Sequence, residues 1–296
     1  MIPAWVAVSI ASAFLQNLRS ALQRTLTPAA GVIGATYARF LFAAPLAVAL
    51  SLALTLRDGQ LPRLTAAFVA WGLTGALMQI AATLLLLRVF ALRNFAVGNT
   101  FAKTEAVQAA LFGLLLLGDR LPGLAVAGLV ASLAGIVLIS VRAVPGSALV
   151  GRAAWLGLAS GAAFALSAVS YRAASMALHA VPGELAAPAF TLACVTVAQT
   201  LLMTLWLGLR QPATIGAVLA RWPTAALVGA AGMLASLGWF LAFTLATAAE
   251  VKAVGQVELL FSWLTARYGF GELPSLRETL GIAMVAGGIV LVVLAG

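Results

Sequence analysis

The chain has 296 residues, 63% hydrophobic and 8% charged, with a mean hydropathy of +1.10. A soluble domain carries about 25% charged residues, so the composition excludes one and points to a polytopic, all-helical membrane protein. The net charge of +9 comes from 17 Lys and Arg spread through short loops. That distribution suits membrane anchoring, and no basic run or stacking motif points to nucleic acid.

Taken in order, apolar stretches of about 20 residues mark ten candidate spans. They run roughly 3–22, 31–55, 64–87, 96–117, 122–141, 152–172, 186–208, 224–247, 251–269 and 275–295. Breaks are expected at Thr27-Pro28, Asp58-Gly59 with Pro62, Pro145-Gly146, Pro182-Gly183, Gln211-Pro212 and Gly271-Glu272 with Pro274. The N-terminus has no charged region before its apolar run, which reads as a retained first helix rather than a cleaved signal. The single cysteine, Cys194, leaves no intrachain disulfide.

The chain repeats itself. At an offset of 153, Glu105 matches Glu258, Gly118-Asp119 matches Gly271-Glu272, Gly128 matches Gly281, and Gly135-Ile136-Val137-Leu138 matches Gly288-Ile289-Val290-Leu291. Upstream the register is looser. Trp5 and Phe14 match Trp155 and Phe164 at an offset of 150, and Gly72 and Gly75 match Gly229 and Gly232 at 157. The chain therefore divides into repeat 1, about 1–143, and repeat 2, about 149–296, within one transmembrane domain. Five helices per repeat is an odd number, so the second copy enters the membrane from the opposite side. Inverted repeats of this kind are typical of secondary transporters, which bind substrate near the midplane.

The order of these motifs resembles the drug/metabolite transporter superfamily, in its ten-helix form with two EamA-type repeats. The resemblance rests on Pro28 with Arg39, on Ala91-Leu92-Arg93, on Leu117-Gly118-Asp119-Arg120-Leu121, on its echo Gly271-Glu272-Leu273-Pro274, and on the glycine-spaced last helix of each repeat. The prolines that many members carry near the start of the fourth and ninth helices are absent around Glu105 and Glu258. The run Gly255-Gln256-Val257-Glu258-Leu259-Leu260-Phe261 is similar to the aromatic amino-acid exporters of the superfamily. The resemblance implies a bacterial inner-membrane exporter of amino acids, metabolites or toxic compounds, with cytoplasmic termini. A monomer is expected, and no cofactor.

Ionisable groups inside a membrane are costly and point to function by default. Lys103, Glu105 and Glu258 fall within the fourth and ninth spans, and the two glutamates are repeat mates. They serve either to bind an ammonium group or carry a proton, or else Lys103 and Arg93 neutralise Glu105 at a helix end. Gln256 lies beside Glu258. Gln16, Asn17, Gln79 and Ser236 are amides and a hydroxyl deep in their spans, which either join helices or line a wet cavity. Trp239 and Trp263 offer aromatic walls for an aromatic substrate, with core or lipid-interface packing as the plainer role. Trp5, Trp71, Trp155 and Trp222 lie near span ends, where aromatic belts form. His179 reads as a loop residue. The glycine pairs Gly157–Gly161, Gly31–Gly34 and Gly72–Gly75 read as helix-packing positions.

No phosphate loop, zinc motif or cluster of His and Cys is present in the sequence, so no nucleotide, metal or enzymatic role is expected. The expected cargo is a small molecule, and a gradient is the expected drive. An integral membrane enzyme acting on lipid-linked substrates and a passive channel are the alternatives. Orientation is contested by charge. With cytoplasmic termini, the outer loops carry Arg19, Arg24, Arg88, Arg93, Arg142, Arg152, Arg210, Arg221, Arg267 and Arg277. The inner loops carry only Arg57, Arg63, Arg120, Arg172 and Lys252, and the positive-inside rule favours the reverse.

Overall fold

The structure, a computed structural model, describes residues 3–60, 62–90, 101–140, 151–178, 184–264 and 275–295. Every regular element among them is an α-helix. These are α1 Ala4–Asp58, α2 Ala66–Phe90, α3 Glu105–Leu117, α4 Gly123–Ser140, α5 Arg152–Met176, α6 Ala186–Arg210, α7 Pro212–Ala220, α8 Trp222–Leu245, α9 Ala248–Gly255, α10 Val257–Leu264 and α11 Leu276–Ala295. Ala91-Leu92-Arg93, the Pro145-Gly146 and Pro182-Gly183 turns, His179, Arg142, Arg267 and Gly271-Glu272-Leu273-Pro274 lie outside the described residues.

Six of these segments are long and apolar enough to cross a membrane: Thr25–Asp58, Ala66–Leu86, Arg152–Met176, Ala186–Arg210, Trp222–Leu245 and Leu276–Ala295. A helix of 25 residues is about 37 Å long, more than the roughly 30 Å hydrocarbon layer. The distribution of polarity agrees with a lipid surround. Leu56, Leu209, Leu276 and Leu294 are each at least 70% exposed, while Arg19, Gln199, Gln256, Ser160 and Ser170 are buried. Water would favour the reverse arrangement.

Four expectations are corrected. The break at Thr27-Pro28 does not occur there, because Pro28 sits inside α1 and the chain leaves helical geometry at Gly31 (φ 67°, ψ 174°). A proline removes one helix hydrogen bond, but only glycine reaches this region of backbone space without strain. The expected span 96–117 is interrupted at Lys103-Thr104, and 251–269 begins at Ala248 and is interrupted at Gln256. The connection after α6, read as a loop, contains the nine-residue α7. A Cβ on Gly34 would lie 3.0 Å from Thr214 Cγ2 on α7, so that glycine admits α7 to the side of α1.

The chain forms two compact units, each drawing on both halves of the sequence. One comprises Met1–Ile10, Met78–Val169 and Ala246–Gly296; the other comprises Ala11–Leu77 and Ser170–Leu245.

The first unit is built on α4 against α11, which meet through small residues. A Cβ on Gly128 would lie 2.5 Å from the carbonyl oxygen of Gly288, and one on Gly135 would lie 2.5 Å from that of Gly281. Between these contacts Ser132 Oγ donates to the Val285 carbonyl at 3.5 Å. As the residue number rises on α4 it falls on α11, so these two sequence-matched helices run antiparallel. Ser132 and Val285 are themselves separated by the repeat offset of 153. α3 ends at Gly118, whose left-handed backbone (φ 73°) closes the helix. Gly118 N–H donates to Leu114 O at 3.2 Å, the bond of a left-handed glycine cap, and Asp119 N–H adds a second bond to Gly113 O at 3.1 Å. That cap is the physical content of the Leu117-Gly118-Asp119 motif.

In the second unit α8 lies against α1. Gly229 packs on Phe42, and Gly232 packs on the stems of Arg39 and Arg19. Gly75 of α2 is covered by the Tyr171 ring. Phe68, Ala174 and Leu178 form an apolar cluster with Trp71 and Phe190 around it.

Gly288→Ala should lower the unfolding temperature in detergent by several degrees, since its Cβ would meet Ser132 and the Gly128 carbonyl, whereas Gly287→Ala, facing open space, should leave it unchanged. Gly31→Ala should destabilise by about 1–3 kcal/mol through backbone strain alone, because nothing lies within 4 Å of the added methyl. Gly72→Ala, equally open and without positive φ, is the control.

Candidate functional site

In the first unit, two interrupted helices bring charges together. α3 starts at Glu105, directly after the turn at Lys103-Thr104. Thr104 Oγ1 donates to Phe101 O at 2.6 Å and accepts from Gln108 Nε2 at 2.7 Å. The other interruption is prepared by a capping box: Thr247 Oγ1 accepts from Glu250 N–H at 3.3 Å, while the Glu250 carboxylate accepts from Thr247 N–H at 3.0 Å. α9 then runs to Gly255, Gln256 forms the turn, and α10 starts at Val257. Lys103 and Gln256 differ by the repeat offset of 153, and Gln256 Nε2 donates to the Lys103 carbonyl at 3.4 Å. The two breaks are therefore both equivalent in sequence and joined in space.

Four charges occupy these breaks. Lys103 pairs with Glu258, and Lys252 Nζ lies 3.5 Å from Glu105 Oε2. About four-fifths of each of these side chains is buried. The signs follow the helix ends. Glu105 and Glu258 lie in the first turns of α3 and α10, and Lys252 lies in the last turn of α9, where the backbone dipole favours each. Lys252 also stands 5.9 Å from the centre of the Phe164 ring. Lys252 joins Lys103 as a cation acting on Glu105, and its position at the end of α9 corrects the placement of Lys252 in a loop. Gln108 Nε2 also reaches Leu158 O at 3.4 Å, while its Oε1 is buried without a partner among the described residues. Gly161 lets α5 approach the Ala102 carbonyl, 2.8 Å from the Cβ it lacks.

Gln79 belongs to this unit as a half-buried residue of α2, and its carbonyl accepts from Thr83 Oγ1 at 2.9 Å. Trp263 lies in α10, and its side chain is outside the described residues.

The second unit holds a different cluster. Trp239 Nε1 donates to Gln16 Oε1 at 3.2 Å, and Trp239 stacks on Phe243 with ring centres 6.4 Å apart. Ser236, one turn earlier on α8, accepts from Arg39 Nη2 at 3.3 Å. Asn17 is half-buried on α1 beside Gln16. Tyr171 stacks on Phe240 at 4.5 Å; its hydroxyl donates to Gly75 O at 2.9 Å and accepts from Gln199 Nε2 at 3.2 Å. Arg172 Nη1 donates to the Phe243 carbonyl at 2.7 Å, inside the bundle rather than in a loop. Arg19, expected in an outer loop with Arg24, lies within α1, and only 9% of Arg19 is exposed.

The structure thus joins Lys103, Glu105, Gln256 and Glu258 in one unit, and Gln16, Ser236 and Trp239 in the other. Sequence reasoning passed over Lys252, Arg19 and Arg39 as parts of the polar clusters. The signal for Arg39 was present, since it is a lone cation in the apolar run from Ala35 to Leu46. Trp155 and Trp222 are exposed at helix starts, as an aromatic belt requires, whereas Trp5 is buried.

No family model matches the chain, and no curated protein matches it. A solved structure described only as "Crystal structure of protein" superposes with a TM-score of 0.73 at 18% identity, covering 100% of this chain and 98% of that one. At this identity the likeness is one of fold.

Removing Lys103 takes a cation away from the mostly buried Glu258 carboxylate. Lys103→Met should therefore destabilise by roughly 2–3 kcal/mol, and the double variant Lys103→Met/Glu258→Gln should recover most of the loss. A double-mutant cycle of detergent unfolding temperatures reads both.

Proposed function

We propose that the chain is a secondary transporter of the bacterial inner membrane that exports small metabolites, with neutral or aromatic amino acids as the leading cargo. In this reading ten spans form two inverted five-helix repeats, as in EamA-type drug/metabolite transporters, and the termini are cytoplasmic. The observation that carries the proposal is the pair of helix interruptions at Lys103-Thr104 and Gln256, hydrogen-bonded to each other and lined by four paired charges. Transporters use discontinuous helices because an unwound turn exposes backbone groups and helix-end dipoles to a substrate or ion at membrane depth. The antiparallel contact of α4 and α11, matched in sequence, supports the inverted repeat.

The mechanism follows from charge accounting. Four partly buried ions with zero net charge are stable only while each keeps its partner. A zwitterion or a proton that engages one carboxylate weakens its ion pair and so favours a second arrangement of the broken helices. A ligand shifts such an equilibrium only by its differential affinity for the two arrangements, and the ion pairs supply that difference. Glu105 and Glu258 are the acceptors in this scheme, Lys103 and Lys252 the competing cations, and Gln256 the tie between the breaks.

Purified protein in proteoliposomes should show saturable uptake of labelled phenylalanine or leucine with counterflow. Glu258→Gln should lower that exchange at least tenfold while its gel-filtration profile stays that of the parent. Exchange at the parental rate in Glu258→Gln would remove the charge cluster from the transport cycle, and flux without saturation or counterflow would indicate a channel.

A further inference from the structure

Arg19 and Arg39 stand on α1 on either side of the Gly31 kink, in the same compact unit. Both pass Gly232 of α8. A Cβ there would lie 3.1 Å from Arg39 Cγ and 3.3 Å from Arg19 Cδ, so the two stems run side by side because that residue is glycine. Arg19 is 9% exposed, and its Nε is buried with no partner among the described residues. Its hydrogen bond is a long one, Nη2 to Ser20 Oγ at 3.4 Å. Arg39 donates to Ser236 Oγ at 3.3 Å and lies 5.1 Å from the centre of the Phe40 ring.

The counter-charge is missing from the unit. Of the eight Asp and Glu in the chain, only Asp58 and Glu184 fall within it. Asp58 is bonded to Arg57 at the end of α1, and Glu184 is exposed. Among the described residues neither Arg19 nor Arg39 has a carboxylate partner. A guanidinium stays protonated, and a buried charge is expected to be paired. Two like charges side by side raise that cost further. Arg39 meanwhile keeps some accessible surface, although Tyr37, Ala38 and Phe40 around it are 2% exposed or less.

We propose that Arg19 and Arg39 form an oxyanion-binding subsite that takes the carboxylate of the transported substrate. The guanidinium fork matches a planar carboxylate through two parallel hydrogen bonds, and Arg19 Nε supplies an unused donor. Ser236 holds Arg39 in position. Gln16 and the Trp239 indole, joined to each other, add a polar group and an aromatic face on the same two helices, α1 and α8. The subsite rests on the transport reading for the identity of its ligand as cargo; its affinity for an oxyanion does not depend on that reading. A phospholipid phosphate offers the same chemistry, and the experiment separates the two.

Unfolding temperature in neutral detergent is measured at fixed ionic strength with L-phenylalanine, its decarboxylated analogue phenethylamine, benzoate, inorganic phosphate or added phosphatidylglycerol, each against chloride. Phenylalanine and benzoate should raise it and phenethylamine should not. Arg39→Gln and Arg19→Gln should abolish the rise while leaving the ligand-free protein at least as stable as the parent, because each relieves a like-charge contact. Arg57→Gln, at the exposed end of α1, should keep the full response. Counterflow in proteoliposomes by the same variants should fall at least tenfold for phenylalanine. No response to either carboxylate, or an undiminished response in both arginine variants, overturns the subsite. A response confined to phosphatidylglycerol assigns the pair to lipid and overturns the cargo assignment. Carboxylate binding lost in the variants, without transport of phenylalanine by the parent, keeps the subsite and sinks the transport reading instead.

Discussion

A charge within a hydrocarbon slab must find its partner inside the protein, and this constraint shapes both polar clusters. Lys103, Glu105, Lys252 and Glu258 meet it internally, as two ion pairs at helix ends whose dipoles favour each sign. Buried amides and hydroxyls follow the same rule. Ser160 donates to Ala82 O at 2.9 Å, and Ser175 to Thr191 at 3.0 Å. Arg19 and Arg39 depart from it, which is why they mark a place where something else completes the charge.

Close helix approach is the second requirement, because lipid supplies no hydrophobic force between helices. Glycine meets it at Gly128, Gly135, Gly281 and Gly288 on the α4–α11 contact, and at Gly229 and Gly232 on α8. Their roles differ. The first four bring two backbones together. Gly232 makes room for two arginine stems, so a packing residue also shapes a binding surface.

The interruptions at Lys103-Thr104 and Gln256 connect packing to function. A continuous helix satisfies its own backbone and offers little to a ligand; a broken one frees carbonyls and amides at depth. Gln256 bonds across to the Lys103 carbonyl, so each break partly satisfies the other. The cap at Thr247 and Glu250 fixes where α9 begins, and that in turn sets Lys252 opposite Glu105.

Membrane character, the repeat in the sequence and the limits of several long spans were determined by the sequence itself, because apolar length and glycine spacing are local properties that one chain displays directly. Five of the six long spans, α2, α5, α6, α8 and α11, fall within a few residues of the expected limits. The acidic positions Glu105 and Glu258 were also legible, as charges in apolar runs. Tertiary structure alone decided the rest. Pro28 suggested a break that the backbone makes at Gly31, since the left-handed conformation belongs to glycine and not to the proline. The helix break at Lys103-Thr104 carries no proline or glycine, and Gly255 before Gln256 reads equally well as a packing residue; the two breaks meet through ion pairs between residues about 150 apart. Lys252 and Arg19 resembled loop cations because the hydropathy of a window does not say which side chains a neighbouring helix will cover. Whether a charge has a partner is a property of the packed bundle, and only the fold distinguishes the paired lysines from the two arginines left to an outside anion.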